Sequence, residues 1–129
     1  MANLRQFGFH DSTLESITLQ GDKLVLRTSG VEDFSPLSES RSEERYLSTI
    51  DLAFEGVADL VVDDKPAFSV ELAAPSAEIS SLDVSGDQVT IVLHLFWYLP
   101  LRVLSKSIRF KFADLKYNIL ESTRELDDC

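Results

Sequence analysis

The sequence predicts a mainly β protein. The expected form is an antiparallel meander, curled sheet or sandwich built from two hairpin-plus-strand half-repeats, with little helix and an α+β arrangement as the variant. Three observations predict it. Gly21-Asp22 and Gly86-Asp87 each lie between runs rich in aliphatic and β-branched residues, the pattern of a two-residue hairpin loop in which glycine supplies a positive φ. The runs around them echo one another at an offset of 65, with apolar residues coinciding at 14/79, 17/82, 19/84, 24/89 and 26/91. Each hairpin is followed by an alternating phrase, apolar at Ile50, Leu52 and Phe54 and again at Ile108, Phe110 and Phe112, as a half-buried strand requires.

The hairpins carry their own register. With Gly21-Asp22 as the loop, Gln20 faces Lys23, Leu19 faces Leu24 and Ile17 faces Leu26. With Gly86-Asp87 as the loop, Val84 faces Val89 and Leu82 faces Ile91. Apolar residues then share one face, and a one-residue slip destroys the match. Residues 31–48 are polar and contain Pro36; they form an excursion loop or a short helix from Pro36, where proline is tolerated in a first turn. Residues 46–54 read as strand, and Asp63-Asp64-Lys65-Pro66 as a turn. Residues 67–73 read as a short strand or one helical turn closed by Pro75. Residues 89–98 are the strongest strand, apolar on both faces and hence central or covered on both sides, and Pro100 ends it. Residues 102–117 read as one long strand with a bulge near Ala113. The half-repeats span about 12–62 and 78–120, the returning strands being offset by 58, and residues 1–129 form one domain.

Composition narrows the function. Twelve basic residues against 22 acidic ones, a net charge of −10, argue against nucleic acid as a ligand. The one cysteine, Cys129, excludes a disulfide framework. One cysteine and two histidines 84 positions apart give no metal-ligand spacing. No apolar run reaches the roughly 18 residues a membrane helix needs, and no leader is visible; the expected location is cytoplasmic.

No catalytic motif is present, and no catalytic residue, metal or cofactor is assigned. His10-Asp11 lies at a strand start, where Asp11 or Ser12 caps a turn while His10 packs. His94 sits among strand residues, and His10 and His94 are not expected to be catalytic partners. The informative feature is charge. Residues 55–98 carry −7 and residues 99–120 carry +4. Glu55, Asp59, Asp63, Asp64 and Glu71 are the candidate partner-binding residues, because clustered carboxylates steer a basic partner. Trp97 and Tyr98 are candidate aromatic contacts. The basic run Arg102, Lys106, Arg109, Lys111 and Lys116 is expected to neutralise acids on a neighbouring strand.

Phe9-His10-Asp11-Ser12-Thr13-Leu14, then a Gly-Asp hairpin, then Phe54-Glu55-Gly56-Val57, then Leu95-Phe96-Trp97-Tyr98 before a charged final strand, resemble a group of small bacterial β-meander proteins. Several such families are immunity proteins of polymorphic toxin systems. The resemblance implies a protein-binding role, that of an immunity protein neutralising a basic toxin nuclease, with no catalytic residues to carry over. The alternative is a small-ligand-binding or structural β domain, self-associating through an edge strand.

Overall fold

The computed structural model describes residues 4–33, 44–72 and 74–126. Among them all regular structure is β, in ten strands: β1 (Phe7–Gly8), β2 (Ser12–Gln20), β3 (Lys23–Asp33), β4 (Glu44–Glu55), β5 (Ala58–Val62), β6 (Lys65–Pro66), β7 (Ser76–Ser85), β8 (Gln88–Tyr98), β9 (Leu101–Lys111) and β10 (Asp114–Leu126). All neighbours are antiparallel, in the order β10-β4-β3-β2-β7-β8-β9-β5-β6, with β1 on β3.

Both hairpins adopt the expected register: Gln20, Leu19 and Ile17 face Lys23, Leu24 and Leu26, while Val84 and Leu82 face Val89 and Ile91. Gly21 and Gly86 have φ of +62° and +59°, as the first position of a II′ loop demands. The echo goes deeper than apolar pattern. Each hairpin has a register shift in its first strand, at Glu15 and at Ser80, and these residues are also 65 apart. The halves join where Thr13 pairs with Glu78 and Ser12 with Ile79. Thr13 and Glu78 are 65 apart as well, so a local two-fold axis passes through that pair.

The returning strands correct the sequence reading. Leu24 pairs with Phe54, and its counterpart Val89 pairs with Phe110, which sets the offset at 56 rather than 58. A strand has a side-chain period of two, so a shift of two preserves the apolar face and periodicity alone does not distinguish them.

Each half then hands its fourth strand to the other. After β4 the chain crosses over, and β5 pairs with β9; after β9 it crosses back, and β10 pairs with β4. The crossings touch. Ala113 N–H donates to the Glu55 carbonyl at 2.8 Å, and Gly56, at φ +69°, lies so close that a Cβ there would sit 2.7 Å from the Ala113 Cβ. The hairpin loops brace both crossings: Val57 N–H donates to the Asp22 carbonyl at 2.8 Å and Phe112 N–H to the Asp87 carbonyl at 2.9 Å. The rings of Phe54 and Phe110 meet edge to face at 5.0 Å, although β4 and β9 are far apart in the strand order. The two halves therefore face each other across a shared core that includes Leu24, Leu26, Ile50, Leu52, Ile79, Ile91, Leu93 and Ile108, each burial stabilising by about 1.5–3 kcal/mol before entropy.

Other expectations are revised by this exchange. Residues 102–117 are two strands, interrupted at Phe112-Ala113 where the chain changes halves. Residues 67–72 are irregular rather than strand or helix, with Val70 buried. Asp63-Asp64 form the loop, φ +51° and +65°, while Lys65-Pro66 already belong to β6. Residues 31–33 and 44–48 extend β3 and β4; Pro36, and any excursion over 34–43, lie outside the described residues, as does Cys129. The second hairpin outruns the core near its loop, leaving Val84 exposed.

Candidate functional site

The five acidic candidates do not make one open face. Alignment of β5 with β9, and of β4 with β10, brings three of them to lysines. Asp59 lies 3.8 Å from Lys111, Asp63 lies 3.8 Å from Lys106, and Glu55 lies 3.5 Å from Lys116. Three of the five residues of the basic run, Lys106, Lys111 and Lys116, thus meet acids of the neighbouring segments as expected, while Arg102 lies over Trp97 instead. Asp63 also ties the backbone of β9. Its carboxylate accepts from Ser107 N–H and its own N–H donates to the Ser107 carbonyl, both at 2.8 Å. Asp64 and Glu71 are exposed.

The aromatic candidates sit elsewhere, at the end of the β8–β9 hairpin. Trp97 is half-buried beneath the Arg102 guanidinium, 4.4 Å from the ring centre, a cation–π contact. Tyr98 shares a 2.8 Å hydrogen bond with Ser76 Oγ. A cis Leu99-Pro100 bond occupies the two-residue loop between the paired Tyr98 and Leu101. Around it Tyr98, Leu99, Leu101, Val103 and Leu104 are 58, 99, 70, 48 and 48% exposed. Cross-strand pairing places Leu101 and Val103 with Tyr98 and Phe96 on one face, and Leu104 and Arg102 with Leu95 and Trp97 on the other. A shallow groove of about 400 Å³ runs beside the first face, between Phe96, Tyr98, Leu101, Ser76 and Thr13. The four aliphatic residues of this cluster were missed in the sequence. Their signal is apolar residues at consecutive parities, which reads equally as a buried central strand.

The edge is as informative as the side chains. β5 covers β9 only from Ile108 to Lys111, and Asp63 caps Ser107. Among the described residues no strand pairs with residues 101–106 on the side away from β8.

His10 marks a separate feature. It stands in a β-turn closed by Ser12, whose N–H and hydroxyl both donate to the Phe9 carbonyl, at 3.0 and 2.5 Å. Ser12 is the capping residue, and His10 is exposed rather than packed. The register shift at Ser80 frees its carbonyl from the ladder, and His10 Nδ1–H donates to it at 2.6 Å. That bond, and then the Asp11 carboxylate 3.4 Å from Nε2, raise the His10 pKa above the usual 6.5. His10 and Arg5 rim a cleft of about 710 Å³ floored by Phe7, Phe9, Leu82 and Leu115. His94 is half-buried on β8 between Glu78 and Ser105 and does not line that cleft. No group of three or more His, Cys, Asp or Glu residues among the described residues is placed to hold a metal ion.

No protein-family model, no curated protein and no solved structure matches the chain.

Proposed function

We propose that the protein is a protein-binding module and that its contact surface is the end of the β8–β9 hairpin. The observation that carries this is the exposed apolar patch of Tyr98, Leu101 and Val103 on one face, continued at the loop by Leu99, with Leu104 and the Trp97–Arg102 stack on the other face. Contiguous apolar surface of that kind marks interaction sites, and Trp, Tyr and Arg dominate hot spots. A binding role requires no catalytic group. The narrower reading, an immunity protein acting in the cytoplasm on a toxin domain, rests on the resemblance described above and on the net charge. The local carboxylates add less to it than their number implies, because Glu55, Asp59 and Asp63 already face lysines. No described helix is long and apolar enough to cross a membrane.

The test is photo-crosslinking in cells from a benzoylphenylalanine at position 99, with and without Leu101→Asp. The expected result is a discrete crosslinked protein that disappears with Leu101→Asp and persists with Asp64→Asn plus Glu71→Gln. No adduct, or the reverse pattern, removes the hairpin end as the contact surface. The cleft beside His10 favours the second reading, a small-ligand-binding domain. Under that reading, ligands would shift the resonances of Leu82 and Phe9 and leave those of Leu101 unmoved.

A further inference from the structure

The two halves supply a template for something that, among the described residues, one of them lacks. β10 accompanies β4 along its whole length, Asp114 to Leu126 against Glu55 to Glu44. Under the 56-residue correspondence, Glu55 answers to Lys111 and Asp114 to Ala58, and Ala58 indeed pairs with Lys111. β5 therefore enters the lane beside β9 just as β10 enters the lane beside β4. There the likeness stops. β5 ends at Val62, turned back by the Asp63-Asp64 loop. The stretch of lane that residues 119–126 fill beside residues 44–50 is unfilled, among the described residues, beside residues 100–106.

The backbone at that vacancy is ready for a strand. Ser107 turns both its N–H and its carbonyl away from β8, to Asp63. Alternation places the N–H and C=O groups of Ser105, Val103 and Leu101 on that same open side. Such an edge is a template for strand addition. Charge indicates what it accepts. Residues 88–113 contain no acidic residue; Lys106 and Lys111 already face Asp63 and Asp59, and Arg109 lies where β5 covers β9, which leaves Arg102 as the cation beside the open stretch. Arg102 forms no ion pair among the described residues and lies over Trp97 at the open end. Two copies of β9 side by side at residues 101–106 would bring two Arg102 guanidinium groups together with no carboxylate on either strand, so a second copy of this chain fits poorly.

We propose that the partner contributes an extended acidic segment, about six residues long, that adds as an antiparallel strand to β9 beside residues 101–106. Its carboxylates lie on the face of Arg102 and its apolar residues on the face of Leu101 and Val103. This rests on the protein-binding reading and specifies the partner's chemistry.

The experiment uses the full ¹⁵N-labelled chain and two capped octapeptides, one alternating valine with glutamate and one alternating valine with lysine. In the free protein the amides of Leu101, Val103 and Ser105 exchange fast. The glutamate peptide shifts and protects them, and the lysine peptide binds at least ten-fold more weakly. Arg102→Glu reverses that order. Val103→Pro removes the central edge donor, a substitution an edge position tolerates, and abolishes binding while the circular dichroism spectrum stays that of the wild type. Edge amides already protected in the free protein, or protected as its concentration rises without peptide, overturn the proposal, because the lane is then filled by this chain or a second copy. Equal binding of both peptides, or no shift at the edge, overturns it too. A cellular crosslink lost with Leu101→Asp but kept with Val103→Pro ends strand addition and leaves the protein-binding reading standing.

Discussion

Replacing Gly56 with alanine probes the point where the two crossings touch. Two separable costs arise there. At φ +69°, a Cβ costs about 1–2 kcal/mol in the left-handed region. That Cβ would also lie 2.7 Å from the Ala113 Cβ and 3.3 Å from the Ala113 nitrogen. Two such carbons rest at about 3.5–4.0 Å, so one crossing must move by roughly 1 Å, an overpacking cost of about 1–3 kcal/mol. The neighbour is backbone and a methyl group, with no flexible side-chain end to swing aside. The expected loss is therefore about 2–5 kcal/mol. With an unfolding entropy of about 2.1 cal/mol/K per residue, a chain of this length loses about 4 °C in Tm per kcal/mol, or roughly 8–20 °C. The assay is a double-mutant cycle by urea unfolding and calorimetry. Ala113→Gly in the Gly56→Ala background removes the overlap and should recover about 1–3 kcal/mol. Gly21→Ala is the control: φ is +62° with nothing within 4 Å of the added Cβ, so it should lose only about 1–2 kcal/mol. A loss below about 1 kcal/mol for Gly56→Ala, or no recovery with Ala113→Gly, would refute the close crossing.

Other outcomes follow from particular contacts. Arg27 grips Asp51 through two hydrogen bonds, 2.9 and 3.0 Å, which hold the Asp51 carboxyl below its usual range. Stability from this pair is present above the unfolded carboxyl pKa near 4 and is lost as pH falls through the lower folded value. Asp51→Asn should cost less than about 1 kcal/mol at pH 7, because the half-exposed arginine is screened, and nothing in strong acid, as chemical denaturation at both pH values would show. His10 should titrate by NMR above 6.5, and Asp11→Asn should lower its midpoint while the bond to Ser80 persists. Whatever stability His10 contributes is full below pH 6.5 and disappears as pH rises through the raised folded value. Thr28, fully buried, donates its hydroxyl to the Ile50 carbonyl at 3.0 Å; Thr28→Val keeps the shape and should cost about 0.5–1.5 kcal/mol in urea unfolding.

What the sequence by itself determined is what depends on neighbours a few residues apart. Gly21-Asp22 and Gly86-Asp87 specify their loops, and a loop of known length specifies Leu19 against Leu24 and Val84 against Val89, because a one-residue slip would expose a whole apolar face. The repeat was legible for the same reason, and so was the alternation of Ile50, Leu52 and Phe54 and of Ile108 and Phe110, although not the break at Phe112-Ala113 that divides 102–117 into two strands. Only the tertiary structure decided which half each fourth strand joins. An alternating strand fits any edge of matching polarity, and closing a longer loop adds little entropy cost to disfavour the exchange. That choice then decided the site. It carried Lys106, Lys111 and Lys116 to Asp63, Asp59 and Glu55, pairs separated by more than 40 residues that no local pattern encodes. It also decided the fate of the β8–β9 hairpin. A strand apolar on both faces reads as buried, but β5 ends after five residues, so residues 101–106 of β9 meet no neighbour beyond β8 among the described residues, and Leu99 and Leu101 remain in solvent.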